Sequence, residues 1–458
     1  MADLELEHIQ GFITFGYGHL EYAAYLFLHF DDAAQGRGWL ARITPMVTPA
    51  RSEKGTQAVH VALTFAGLGQ LGLPEDGLGT FPRQFQEGMP APDRARILGD
   101  EGSESPDNWQ FGGSSNEEVH ALLILFAHTP EAWAALCSRQ EEIMAQPGGA
   151  RVVWREDSER PANNQEQFGF RDGISQPAID GSPVRAKEGQ TVMPPGEFIL
   201  GYENAYGQFP FAPTVAPETD MAGLLTPDPN DVGRLSLGRN GTYLVMRKLQ
   251  QNVGAFWNYF REQAAGENEE MNRLAAKCVG RWRSGASLTL SPDHDDGQVE
   301  NAFNYRKLDP DGEGCPLGAH VRRTNPRDML APDTSDDSVT INHHRILRRG
   351  RPYGPCLIHP ETAPEDDSDR GLLFLAINAN IRRQFEFVQQ TWVNTPNFAG
   401  LYTDRDPLLG DSANTTVTIP SGPIRTRLTG LPQFVTMRGG GYFFLPSIPA
   451  LRYLSGLE

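Results

Sequence analysis

The sequence predicts an α+β fold made of two ferredoxin-like halves, antiparallel sheets with flanking helices. Two observations carry this. The first 160 residues read strand, helix, strand, strand, helix, strand, the order of a ferredoxin-like unit. A polar, Pro- and Gly-bearing stretch, Gly181–Gly196, then separates them from a second run of strands and helices. The chain has 458 residues, enough for about two or three domains at ~100–200 residues each. We divide it into an N-terminal unit, 1–196, and a C-terminal unit, 197–458.

In the first unit, Ala24–Phe30 is rich in Tyr, Leu and Phe, and Val59–Phe65 alternates as a half-buried strand does. Leu68–Leu73 has the length of a short helix or turn. His120–Ala127 is an apolar strand. Thr129 is placed to cap a helix with Pro130 in its first turn, running to about Met144. Val152–Trp154 begins the next strand. In the second unit, Gly241–Arg247 is a strand followed by a helix through Gln251–Arg261. Leu372–Ile377 is a strand. Ile381–Trp392 is helical, with Phe385, Val388 and Trp392 on one face, and Tyr442–Leu445 is a last strand. Leu330–Ser338 reads as a surface loop.

Composition excludes several classes. Hydrophobic residues make up 39% and charged residues 21%, so a large core can form and wholesale disorder is excluded. The formal net charge of −18 repels phosphate backbones and anionic membranes, so neither nucleic acid nor a membrane is expected as a partner. No apolar run reaches the ~20 residues of a membrane span. Cys137, Cys278, Cys315 and Cys356 are far apart, with no CxxC pair, which argues against a disulfide scaffold or structural zinc. The acidic start, Met1-Ala-Asp-Leu-Glu, lacks a cationic export signal, and the expected location is cytoplasmic.

Three segments bear chemistry. In Phe168–Pro177 (Phe-Gly-Phe-Arg-Asp-Gly-Ile-Ser-Gln-Pro), Gly169 and Gly173 flank Asp172. Glycines there permit close backbone approach and aim the carboxylate, although an Asp that caps a turn has the same pattern. In Cys315–Arg327 a lone His320 lies among small residues and arginines. Such a histidine is an axial metal ligand, a general base or a packed polar group. In Arg345–Gly354 four arginines fall within seven residues of an acidic protein, suited to anionic partners or to surface ion pairs. His343 and His344 read as loop residues beside them. Asp293-His-Asp-Asp296 reads as a solvated loop.

Taken together, these segments resemble the dye-decolorising peroxidases. Gly169-Phe-Arg-Asp-Gly173 is similar to that family's GxxDG signature and extends through Ile174 and Ser175 to Pro177. Gly318–Arg327 resembles the segment with its haem-ligating histidine, and Ile346–Gly354 the segment with its distal arginine. Phe434–Pro446 is similar as well. The four occur in order across nearly the whole chain, and the length resembles the larger bacterial and fungal members.

The resemblance implies haem b, held mostly by the C-terminal unit with His320 as proximal iron ligand. It implies peroxide-driven, one-electron oxidation of dyes and phenols through a ferryl intermediate. A haem-handling or haem-binding protein on the same scaffold is the alternative. Asp172 is then the distal acid–base group and Arg348 its charged partner. Ile174 and Ser175 lie beside the cofactor, and Leu372 and Phe374 form an apolar distal wall. Arg327 pairs with a haem propionate, with Arg322 and Arg323 as weaker candidates. Glu386 is the expected carboxylate behind His320. Tyr353 and Trp392 are candidates for electron transfer to bulky donors at the surface. Asp where many peroxidases have a distal His predicts an acidic pH optimum. The partners implied are hydrogen peroxide and small aromatic reductants, and the family's habit allows a homo-oligomer.

Overall fold

The computed structural model describes residues 3–51, 54–146, 149–330, 341–366, 368–410 and 415–457. Most of the predicted loop at Leu330–Ser338 lies outside them. In the first half, strands β1 (Tyr22–His29), β2 (Gln57–Leu63), β3 (Ala121–Ala127) and β4 (Arg151–Glu159) alternate with helices α1 (Ala33–Ile43) and α2 (Pro130–Met144). Local chemistry sets the helix starts. Asp32 accepts the Gln35 amide at 2.8 Å, and Thr129 accepts that of Ala132 at 3.2 Å.

The second half holds β5 (Thr242–Gln251), α3 (Val253–Gln263), α4 (Asn268–Val279) and the short α5 (His320–Thr324). The edge strands β6 (Leu347–Arg348) and β7 (Arg351–Tyr353) follow, then β8 (Gly371–Asn378). A hairpin of β9 (Thr415–Ile419) and β10 (Thr426–Leu431) precedes β11 (Val435–Leu445) and α6 (Ile448–Ser455). The helix expected over Ile381–Trp392 is present, but it is wound wide, as π-type turns at Arg382–Glu386 and Val388–Val393. Such turns concentrate at functional sites because they re-aim side chains.

Nine strands form one sheet in the order β6–β8–β5–β11–β2–β3–β1–β4, with β7 also paired to β8. Each half repeats the ferredoxin-like arrangement, its first strand flanked by its third and fourth. The halves meet where Phe444 of β11 pairs with Leu63 of β2. Both faces of the sheet are covered, which is why β3 is buried at all seven positions rather than alternating. One core places Trp39, Leu123, Val245 and Trp257 on the helical face, and a second gathers Phe12, Ile124, Leu244 and Leu375 on the other. Gly181–Gly196 is exposed over 183–189, but its end is tied into the structure. Val192–Met193 pairs with Ala178–Ile179, and the Gly196 amide bonds the Glu203 carbonyl.

Period-2 geometry decides which side chains of β8 face the site. Leu373, Leu375 and Ile377 enter the second core, while Leu372 and Phe374 turn the other way, into a cavity.

Candidate active site

The cavity encloses about 1560 Å³ of space, including its mouth, between the loop 166–177, α5, β6, β8 and the π-wound helix. Its walls are mostly apolar: Phe168, Ile174, Val279, Leu372, Phe374 and Val393 among others.

Asp172 reaches it from a tight turn. Gly169 has φ +90°, and a Cβ there would lie 2.7 Å from the Pro360 ring and 3.0 Å from the Arg283 guanidinium. Gly173 has φ +79°. Glycine is therefore required on conformational grounds at both positions. The Asp172 carboxylate receives a hydrogen bond from Arg348 Nη1 at 2.8 Å on Oδ1. Burial pushes this carboxyl up, but the Arg348 charge and the Gly173 amide outweigh it, and the net position is below the usual carboxylate range. Gln176 Oε1 accepts the Arg348 amide at 3.0 Å, which ties the turn to β6.

His320 lies at the start of α5. Its Nδ1 is 2.9 Å from Asp406 Oδ2. Asp406 is fully enclosed, and its Oδ1 accepts the Leu408 and Leu409 amides, each at 2.9 Å. Burial raises this carboxyl, yet the His320 charge and hydrogen bond, the Leu409 amide and Arg323 bring it below the usual range. An ionised carboxylate only accepts, so Nδ1 carries the proton, and in the neutral imidazole Nε2 is left with the lone pair. The carboxylate behind His320 is thus Asp406, not Glu386. Glu386 accepts from Arg94 and from the Tyr442 hydroxyl, both at 2.9 Å, in a separate network. The partner is 86 residues from the histidine in sequence. No local pattern announces it.

The arginines also divide differently from expectation. Arg322 is fully buried against Asp309 and the Cys315 carbonyl, and Arg323 donates to the Gly318, Trp392, Thr395 and Asp404 carbonyls. Both hold the fold and are closed to a propionate. Arg327 donates to Asn301 and to the Phe303 carbonyl, with its guanidinium 3.8 Å from the Phe303 ring centroid, and it does not line the cavity. The cations that do line it away from Asp172 are the buried Arg281 and the half-buried Arg345. Arg281 shares Asn301 Oδ1 with Arg327 and with Ser175. Burial and the neighbouring cation Arg327 lower the Arg345 guanidinium to about 10. Burial lowers Arg281 too, and Arg327 and Arg348 add to it. Among the described residues no carboxylate pairs with Arg281, Arg327 or Arg345.

Other expected residues fall as follows. Ile174 and Ser175 line the cavity, with Leu372 and Phe374. Trp392 lines it as well but is buried, and Tyr353 is buried elsewhere, its hydroxyl 3.1 Å from Asp369 and its ring 4.5 Å from the Lys248 ammonium. Neither is at the surface. His344 is not a plain loop residue: it lines the cavity and stacks on Phe387 at 3.6 Å between ring centroids. Glu166, which no sequence motif marks, braces the Asp172 turn. It accepts the Phe168 and Phe170 amides at 2.9 Å and the Gln251 side chain, and burial pushes it up to about 7.

An apolar slot with unneutralised arginines at its edge and an imidazole lone pair within fits a planar, largely apolar metal macrocycle that bears carboxylates. The Asp172–Arg348 pair adds a carboxylate that a guanidinium holds below its usual range.

No protein-family model matches the chain. It is 32% identical to Peroxidase 2 of Mycetinis scorodonius, over 98% of this chain and 87% of that protein. Among solved structures, an ancestral D-type dye decolorizing peroxidase superposes with a TM-score of 0.81 at 30% identity, covering 98% of this chain and 99% of that one. A fungal DyP-type peroxidase from Auricularia auricula-judae superposes at 0.80 and 28% identity, covering the whole of both chains at 100%. The chain belongs to the dye-decolorizing peroxidases, and its cofactor is haem.

Proposed function

We propose that His320 is the proximal haem ligand, that Asp172 is the acid–base group for peroxide and that Arg348 is its electrostatic partner. The observation that carries this is the convergence of two charge-assisted pairs, His320–Asp406 and Asp172–Arg348, on one cavity. Arg281 and Arg345 supply the cations for the propionates. Arg327 supports Arg281 from behind through Asn301.

When bound, haem supplies the redox chemistry, accepting oxidising equivalents from peroxide and passing them to donors one electron at a time. The protein's part is proton management and exclusion of water. Asp172 Oδ1 is engaged by Arg348, so Oδ2 takes a proton from one peroxide oxygen and returns it to the other, which leaves as water. Arg348 stays charged throughout and stabilises negative charge that develops during cleavage. Ionised Asp406 keeps the imidazole in one tautomer and raises its basicity. Leu372 and Phe374 keep the site dry. Small phenols are oxidised at the cavity mouth. For bulkier dyes, Trp392 relays electrons, with His344 and Phe387 packed beside it, each 5.4 Å away between ring centroids.

The test is an absorption spectrum of the purified protein before and after one equivalent of peroxide. Wild type should show a Soret band that shifts with peroxide. His320→Ala should lose or strongly alter the band, and Asp172→Asn should keep it but respond to peroxide at least ~100-fold more slowly. A Soret band indifferent to peroxide in wild type would move the function to haem binding.

A further inference from the structure

Behind Phe374 and Phe385 lies a second, polar chamber of about 490 Å³, whose apolar walls, including Leu249 and Val435, are shared with the main cavity. Its polar lining is Asp100, Glu104, Arg247 and Gln389, the last of which also lines the main cavity. Asp100 is 3% exposed and Arg247 6%. They form an ion pair between Oδ1 and Nη2, yet Asp100 Oδ2 and Arg247 Nη1 have no protein partner. Charged groups enclosed this deeply do not stay unsolvated, since an unmet hydrogen bond on a buried charge is strongly unfavourable. The chamber has room for a few waters, and it has donors and acceptors to hold them.

The chamber continues a polar seam through an otherwise apolar core. Val245 pairs with Tyr442 and Arg247 with Gly440, so Tyr442 and Arg247 are diagonal neighbours on one sheet face, and the Phe385 ring packs against both. The Tyr442 hydroxyl donates to Glu386 Oε1, and Arg94 donates to Glu386 Oε2. Arg94 and Glu386 in turn line a hollow at the surface with Arg83 and Arg382. Burial holds Asp100, Glu104 and Glu386 all above the usual carboxylate range, where a carboxyl exchanges protons more readily near neutrality.

We propose that this chamber is a hydration site that relays protons between the surface, by way of Glu386 and Tyr442, and the main cavity, by way of Asp100. It is distinct from the Asp172–Arg348 pair and rests on the peroxidase reading above. Reducing peroxide to two waters takes up two electrons and two protons. A phenol brings a proton with each electron. A dye oxidised through the protein wall brings the electron alone, and the proton comes from solvent, hopping along the waters without net change at any carboxyl.

The test uses the holoenzyme. A high-resolution crystal structure of wild type should show ordered waters on Asp100 Oδ2 and Arg247 Nη1. Asp100→Asn should lower turnover of a donor without an exchangeable proton by about tenfold and raise its solvent isotope effect, with phenol turnover within about twofold of wild type. The paired change Asp100→Leu with Arg247→Met removes the buried charges together, which proteins tolerate. It should keep the melting temperature and show the same split between donors. A dry chamber in an active enzyme, or equal slowing of both donors, would overturn the relay alone. A wild-type holoenzyme inert to peroxide would overturn the peroxidase reading and the relay with it.

Discussion

At Asp172 two opposing effects meet, and their sum decides the acid limit of the enzyme. Burial favours the neutral acid, while Arg348 and the Gly173 amide favour the carboxylate and prevail. In the role proposed for Asp172 the working form is the carboxylate, which persists until the pH falls below the ordinary Asp range. Activity with a donor of fixed charge should therefore hold into the acid range. Arg348→Leu takes away the prevailing contribution. Its acid limb should move to higher pH by about a unit or more, together with a loss of ~100-fold or more in the peroxide step. Stopped-flow rates from roughly pH 3 to 7 check this, the span around the ordinary Asp value. An acid limb that stays in place would show that Arg348 does not hold Asp172 ionised. The same scale explains why the partner of His320 differs from expectation. Glu386 sits on a helix close to the site, as a supporting carboxylate would, but its two oxygens are taken by Arg94 and Tyr442. Asp406 has no distinguishing neighbour in sequence.

At the level of the element, the turn that carries Asp172 owes its shape to a few residues. Gly169 and Gly173 occupy the left-handed region, and Glu166 ties the Phe168 and Phe170 amides to Gln251 of β5. Gly169→Ala places a methyl group against Pro360 and Arg283 at a φ that alanine avoids. It should destabilise the protein by about 1–3 kcal/mol, read as a lower denaturant midpoint. The peroxide rate should fall with it, because the displaced turn mis-aims the carboxylate. A wild-type midpoint and rate would show that the turn absorbs the methyl group without strain. The Gly-x-x-Asp-Gly pattern makes this turn legible in the sequence. The brace from Glu166 is not legible there, since it depends on where β5 passes.

Across the whole molecule, the two ferredoxin-like halves share one sheet and the cores on both of its faces. Residues of both halves, such as Leu123 and Trp257, belong to the same apolar cluster, and β2 pairs with β11 across the seam. The halves should therefore unfold together, in a single transition seen alike by tryptophan fluorescence and far-UV circular dichroism. Two separated transitions would mean that the seam is weaker than its packing indicates. Haem removal should lower that transition without dividing it, because a ligand that binds only the folded state stabilises it by mass action.

Although α1, α4, α6 and the β9–β10 hairpin are not legible in the sequence, the long central strands, α2 and α3, the α+β class and the three segments that bring Asp172, His320 and Arg348 to one cavity can be read from the chain itself. Each rests on local information: apolar periods of two and 3.6, caps such as Thr129, and short motifs whose spacing is set within ten residues or so. The tertiary structure alone decided the rest. Asp406 meets His320 across 86 positions, and Arg281 and Arg345 converge on the cavity from different elements. Trp392 and Tyr353 are enclosed rather than exposed, and Asp100 meets Arg247 across 147 positions to build a polar chamber inside the core. Those contacts join segments far apart in sequence, and their partners are chosen by how the sheet is ordered and how its faces are covered.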